Sequence, residues 1–263
     1  MITNYYTLRL IALDLRRRFT DAVLSRVFTQ HRDELVLTCT TNDSEGHIVV
    51  SCETGRNFIL CRDEFPRAKR NSIDLFEKLG GARVRDIRMD PVDRQIIFQT
   101  DGPYRLVVQL YGSRANVFMV DDANVVQGAF LKPKEFVGKA VAKSPPRPAV
   151  GTATDLRQRL QTGDPLLASA LKRIFPQYGP EVSAELLYRA GLEADNVGSQ
   201  LTGNSVERLF DLSLELERQL TDHAAPRIYF DGLVARTFSW RMEAVHSLVR
   251  CLSRSAVAAF QPP

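Results

Sequence analysis

The sequence predicts an α+β protein, with an antiparallel β-sandwich-like N-terminal domain followed by a small helical domain. Three observations predict it. From residue 22 to residue 130, segments with an apolar residue at every second position recur, each closed by turn residues, as strands with one buried face require. Only two helical patterns accompany these strands, which excludes a doubly wound sheet, where helices and strands alternate. Beyond Ser144-Pro-Pro-Arg-Pro148 the apolar spacing becomes helical. These boundaries give an α+β domain over 1–143, a linker over 144–151 and a helical domain over 152–263. A chain of 263 residues has room for both cores.

The elements follow in order. Residues 3–18 form an amphipathic helix: Thr3 and Asn4 can cap it, and Leu8, Ile11, Ala12 and Leu15 recur at helical spacing. Arg16, Arg17 and Arg18 suit the negative end of its dipole. Strands are expected over 22–28, 34–39, 47–52 and 56–60, separated by His31-Arg32-Asp33, by 42–46 and by Thr54-Gly55. Ser72 reads as the N-cap of a short helix over 72–79 that Gly80-Gly81 stops. Strands over 83–88, 93–98 and 104–110 are joined by turns at Asp90-Pro91 and Asp101-Gly102. A last hairpin, 115–120 and 124–130, turns around Asp121-Asp122. The helical part reads as helices over about 154–162, 164–174, 180–190 and 205–222, a small hairpin over 227–238 and a final helix over 242–260. The stretch 174–184 resembles a helix–hairpin–helix, whose amides can face a phosphate.

Composition narrows the function classes. No run of 18 apolar residues exists, and Arg9, Asp14 and the three arginines break any signal-like stretch, so a cytoplasmic location without membrane partners is expected. The four cysteines, Cys39, Cys52, Cys61 and Cys251, lack the spacing of zinc ligands and read as buried free thiols. His31, His47, His223 and His246 form no metal-binding pair, and no hydrolase, P-loop or dinucleotide motif occurs. The expectation is a non-catalytic protein with no cofactor and no metal.

Binding is better supported. Residues 132–159 hold seven basic side chains against two acidic ones, an excess larger than the +4 of the whole chain. Such a connector suits phosphate contacts or is simply a solvated linker. Asp93-Arg94 stands at the mouth of a strand, where a charged pair either meets an anionic partner or closes the strand as a local ion pair. Arg83, Arg85 and Arg88 precede that turn and Arg105 follows it. Arg83 and Arg85 share a face by alternation, a spacing at which guanidinium groups can grip a phosphate backbone.

The motifs Leu79-Gly80-Gly81, Asp93-Arg94-Gln-Ile-Ile, Gly112-Ser-Arg-Ala-Asn116-Val-Phe and the acidic turn Asp121-Asp122 occur in an order that resembles the NFACT family. That family includes ribosome quality-control factors such as RqcH and fibronectin-binding-protein-A-like proteins. Arg56-Asn-Phe-Ile-Leu and 179–191 are similar to its arginine-led strand and its helix–hairpin–helix module, so the resemblance spans nearly the whole chain. It implies a fold similar to the N-terminal domain of formamidopyrimidine-DNA glycosylases. It also implies the N-terminal, RNA-binding part of a factor that binds large ribosomal subunits obstructed by peptidyl-tRNA and recruits alanyl-tRNA for template-independent tailing. The family's tRNA-contacting Asp-Arg pair falls on Asp93 and Arg94, with Arg56, Arg83, Arg85 and Asn116 as further candidate RNA contacts. Met89 replaces the family's usual glutamine before that pair. The chain stops where the family continues into a coiled coil, so an N-terminal fragment is expected. Two alternatives remain: a fibronectin- or fibrinogen-binding adhesin, and a glycosylase-like DNA-binding protein, in which Ile2 and Thr3 stand where the catalytic proline and glutamate belong.

Overall fold

The computed structural model describes residues 4–141, 149–163 and 165–222, together with the backbone of a two-stranded hairpin at Arg227–Asp231 and Val234–Phe238. Most of the expected linker and the expected final helix lie outside the described residues, as do Cys251, His223 and His246. The chain divides into two units, Met1–Pro146 and Arg147–Pro263.

The first unit opens with α1 (Tyr5–Phe19). The Asn4 side chain caps it by accepting from the Tyr6 and Thr7 amides at 3.0 and 3.4 Å. Leu8, Ala12, Leu15 and Phe19 form its buried stripe. Strands β1 (Val23–His31), β2 (Glu34–Thr40), β3 (Glu45–Ser51), β4 (Phe58–Arg62) and β5 (Ile73–Asp74) make one antiparallel sheet in the order β4-β3-β2-β1-β5. Strands β6 (Val84–Met89), β7 (Gln95–Thr100), β8 (Tyr104–Gln109), β9 (Asn116–Asp121) and β10 (Val126–Ala129) make the second, a meander in the order β10-β9-β8-β7-β6. One apolar core joins both sheets and α1, including Leu15, Leu37, Ile48, Ile87, Ile96, Leu106 and Val117. The α+β, antiparallel sandwich-like class therefore holds. The Phe19 ring lies where a Cβ on Gly46 would stand, 2.7 Å away, so glycine at 46 lets α1 close on the sheet.

The alternating pattern predicts one buried face per strand, yet β2 and β3 are buried on both. Phe28, Val36 and Val49 form a small cluster on the outer face, covered by Phe58, Leu60 and Phe65. The helix expected over 72–79 is a correction. Ile73 and Asp74 instead pair with Thr29 and Phe28 of β1 as an edge strand, and only one 3-10 turn, Glu77–Leu79, follows. The Ser72 hydroxyl accepts from the Arg67 guanidinium at 2.7 Å instead of capping a helix. Phe76 takes a left-handed backbone, φ 53°, and its ring sits against Gly128, where a Cβ would approach to 3.0 Å. Tertiary pairing thus overrides a weak local helix signal. The connector after β10 also folds back. A short helix, α2 (Pro133–Phe136), places Phe136 on Phe118 with ring centroids 5.2 Å apart.

The second unit holds α3 (Ala153–Leu160), α4 (Leu167–Ile174), α5 (Gly179–Ala190) and α6 (Gly203–Thr221), then β11 (Arg227–Asp231) and β12 (Val234–Phe238). Thr152 and Thr202 cap α3 and α6 through their hydroxyls. Between α4 and α5 the rings of Phe175 and Tyr178 stack at 4.9 Å, and the Tyr178 hydroxyl donates to the Ser213 carbonyl at 3.2 Å. The helical hairpin is thus locked by buried aromatic packing.

Candidate nucleic-acid interface

The turn between β6 and β7 is built on Asp90. Its carboxylate accepts from the backbone amides of Val92 and Asp93, each at 2.8 Å, and its own amide donates to the Gln95 carbonyl at 2.8 Å. Pro91 fixes the backbone between them. The Tyr5 hydroxyl donates to the Asp90 carbonyl at 3.2 Å, which ties the turn to the start of α1. The loop presenting Asp93 and Arg94 is therefore braced before any partner arrives.

Arg94 and Asp93 are both partly buried. The Arg94 carbonyl accepts from the Leu110 amide at 3.0 Å, fixing its backbone against the end of β8. Burial pulls the guanidinium below its ordinary range, opposed by the neighbouring Tyr111 hydroxyl and the Asp93 carboxylate. Tyr111 answers in kind. Burial raises its hydroxyl above the usual range, Asp93 raises it further, and the Gln95, Arg114 and Arg94 side chains act against that rise.

Tyr111, Arg114 and Gln95 complete the cluster, and the sequence reading named none of them as site residues. Gln95 is buried, and its amide points toward the Gln109 carbonyl oxygen and the Tyr111 hydroxyl, each at 3.4 Å. The Gln109 amide donates to the Arg114 carbonyl at 2.6 Å. Arg114 is exposed, and its guanidinium lies over the Tyr111 ring, 5.1 Å from the centroid. The short turn Gly112–Arg114 carries this group, and Asn57, buried on the other sheet's loop, donates to the Gly112 carbonyl at 2.9 Å. The Asn57 carbonyl oxygen accepts no hydrogen bond. Replacing Asn57 with alanine strips Gly112 of that donor. Stability should fall by about 1 kcal/mol and the turn should loosen, seen as a lower melting temperature and faster amide exchange at 112–115.

The other candidates make contacts of their own. Arg83 and Arg85 lie at the far end of β6 and share Asp21. The Arg83 guanidinium donates to the Asp21 carbonyl at 2.7 Å, and Arg85 pairs with its carboxylate at 2.8 Å. Arg56 is exposed and pairs with Glu53 at 3.1 Å. Asn116 is buried, and its amide side chain spans the backbone of Leu131, donating at 2.9 Å and accepting at 2.8 Å. Asn57, next to Arg56, reaches the Gly112 turn, and Asn116 stands opposite Gln109, whereas Arg85 lies at the other end of β6 from the Asp90 turn.

Among the described residues no group of three or more His, Cys, Asp or Glu side chains could hold a metal ion. No described helix is long and apolar enough to cross a membrane. Cys39, Cys52 and Cys61 are free thiols, the first two buried and the third partly so.

The family model for the NFACT N-terminal and middle domains matches residues 4–249. A search by sequence among curated proteins finds no match. Solved structures with a similar fold include the fibrinogen binding protein of Staphylococcus aureus, 14% identical, with a TM-score of 0.69 over 93% of this chain and 92% of that one. The N-terminal part of the fibronectin/fibrinogen-binding protein of Streptococcus suis is 15% identical, with a TM-score of 0.62 over 94% and 98%. The N-terminal domain of the fibronectin-binding protein PavA of Streptococcus pneumoniae is 13% identical, with a TM-score of 0.51 over 94% and 97%.

Proposed function

The chain belongs to the NFACT family, and from that premise we propose that it is a non-catalytic RNA-binding module whose Asp93-Arg94 turn contacts tRNA. In this reading it serves in the cytoplasm as the N-terminal part of a ribosome quality-control factor. Such a factor engages large subunits that hold a stalled peptidyl-tRNA and recruits alanyl-tRNA for untemplated tailing. The observation that carries the reading is the braced turn. Asp90 holds the main chain at Val92 and Asp93, with Arg94 beside the Tyr111 hydroxyl, so less of the loop is left to order on binding. Arg94 supplies a planar donor for a phosphate, and Asp93 an acceptor for a ribose hydroxyl or a base amine.

Asp93→Ala combined with Arg94→Ala is expected to abolish tRNA association in a filter-binding assay. The melting temperature should stay nearly unchanged, because the Asp90 carboxylate and the strand backbone hold the turn's main chain whichever side chains stand at 93 and 94. Wild-type affinity should also fall steeply with salt, as phosphate contacts require. Full tRNA affinity in the double variant sinks this site assignment. A second reading, binding of fibronectin or fibrinogen, is favoured by the names of the structural relatives. Capture on immobilised fibronectin without sedimentation alongside large ribosomal subunits would replace the first reading with the second.

A further inference from the structure

We propose that Tyr111 and Arg114 form a stacking position for one unpaired nucleotide of the bound RNA, next to the Asp93-Arg94 pair. This rests on the RNA-binding reading and extends that site beyond the Asp93-Arg94 pair to two further residues. The Arg114 guanidinium covers the Tyr111 ring at 5.1 Å from its centroid, and its exposed side chain makes no ion pair among the described residues. A guanidinium resting on an aromatic face at an exposed site is held by only about 0.5–1 kcal/mol, so it lifts off readily. A nucleobase entering that gap is sandwiched between a ring and a guanidinium plane, the arrangement by which splayed-out bases are held.

The rest of the turn fits this use. The Tyr111 hydroxyl end is fixed by Gln95, so the ring is oriented before a base arrives. The backbone beneath Arg114 is held by Gln109, and Gly112 by Asn57, which leaves the Arg114 side chain as the moving part. Asp93, close enough to act on the Tyr111 hydroxyl, supplies a hydrogen-bond acceptor for the same nucleotide. Stacking tolerates any base, so the class of ligand is a single-stranded nucleotide of a loop or end, not a duplex.

The test uses the full chain and fluorescently labelled deacylated tRNA in an anisotropy titration, beside a control duplex RNA. Tyr111→Leu is expected to weaken tRNA binding about 5- to 150-fold, the range for loss of one base stack, while Tyr111→Phe, which keeps the ring and loses only the Gln95 contact, weakens it less. Arg114→Gln is expected to weaken binding and to reduce the salt slope by about one phosphate contact. Equal affinities for Tyr111→Leu, Tyr111→Phe and wild type, with Asp93→Ala/Arg94→Ala still defective, overturn the stacking site and leave the tRNA reading standing. Absence of tRNA binding by the wild-type chain overturns that reading itself. Should Tyr111→Leu fail to fold, the comparison of Arg114→Gln with wild type decides alone: an unchanged affinity and salt slope count against the proposal.

Discussion

Replacing Arg189 with methionine is expected to destabilise the helical unit by about 3–5 kcal/mol, the cost of breaking a buried ion pair by removing one side of it. Glu185 is completely buried, and the Arg189 guanidinium meets it at 2.8 Å with only 9% of its side chain exposed. A second guanidinium nitrogen donates to Gln219 of α6 at 2.9 Å, and Gln219 in turn donates to Glu215 at 2.9 Å. The Arg189 carbonyl accepts from Arg208 of α6 at 3.0 Å. The pair therefore sets how α5 sits along α6. Methionine matches the arginine's bulk and removes only charge and donors, so the effect isolates electrostatics from packing. Because the chain holds two units, a whole-chain melting curve does not assign a loss to the helical unit. Hydrogen exchange read along α5 and α6 does, and protection there should drop by about two to three and a half orders of magnitude. Changing Glu185 to leucine as well removes the buried carboxylate and should restore most of the loss. Equal exchange in wild type and both variants would show that the pair contributes nothing.

That pair was not visible in the sequence, where Glu185 and Arg189 look like any exposed i,i+4 couple on a helix. Its burial depends on α6, which meets α5 only after folding. The strands were more legible, because each carries its own period. The pairs Ile96↔Val108 and Leu106↔Met119 follow from alternation and from the turns that set the register. The short segment 72–79 was misread for the opposite reason. It has a serine, a glycine pair and helix-compatible residues, but what decides its shape is the open edge of β1 and the Arg67 side chain that ties down Ser72 and Asp74.

The candidate site divides in the same way. Asp93-Arg94 was legible because turn chemistry is local: Asp90-Pro91 announces a braced loop, and the strand pattern resumes at once. Tyr111, Arg114 and Asn57 were not, because they reach the turn through cross-strand register and through a loop of the other sheet. Gln95 faces Gln109, and Gln109 faces Asn116. The available signal was a row of amide side chains at matching strand ends, followed by an aromatic residue and a glycine. At Arg83 and Arg85 alternation is a poorer guide: β6 shifts register between Val84 and Asp86, and Asp21 engages both side chains.

Raising the pH from 8 to 10 is expected to cost the first unit about 3 kcal/mol of stability through two thiols, Cys39 and Cys52. Burial pushes both up to about 12, with Cys61 adding to the shift of Cys39 and Asp33 to that of Cys52. In the unfolded chain each ionises near 9. Below that value both states carry the same protons, and the stabilisation is fully present. As pH climbs toward 12 the unfolded chain loses protons that the folded one keeps, so stability falls by up to about 1.4 kcal/mol per pH unit for each thiol. The Cys39→Ala/Cys52→Ala variant should start less stable at pH 7 because two small cavities open, yet lose about 3 kcal/mol less between pH 8 and 10 in urea titrations. An identical alkaline slope in wild type and variant would exclude the thiols as the cause. The same shift keeps both sulfurs protonated at neutral pH, where only thiolates attack, so neither acts as a nucleophile in the folded chain. Native protein at pH 8 should therefore leave Cys39 and Cys52 unmodified by a thiol reagent that labels them once urea has opened the sandwich.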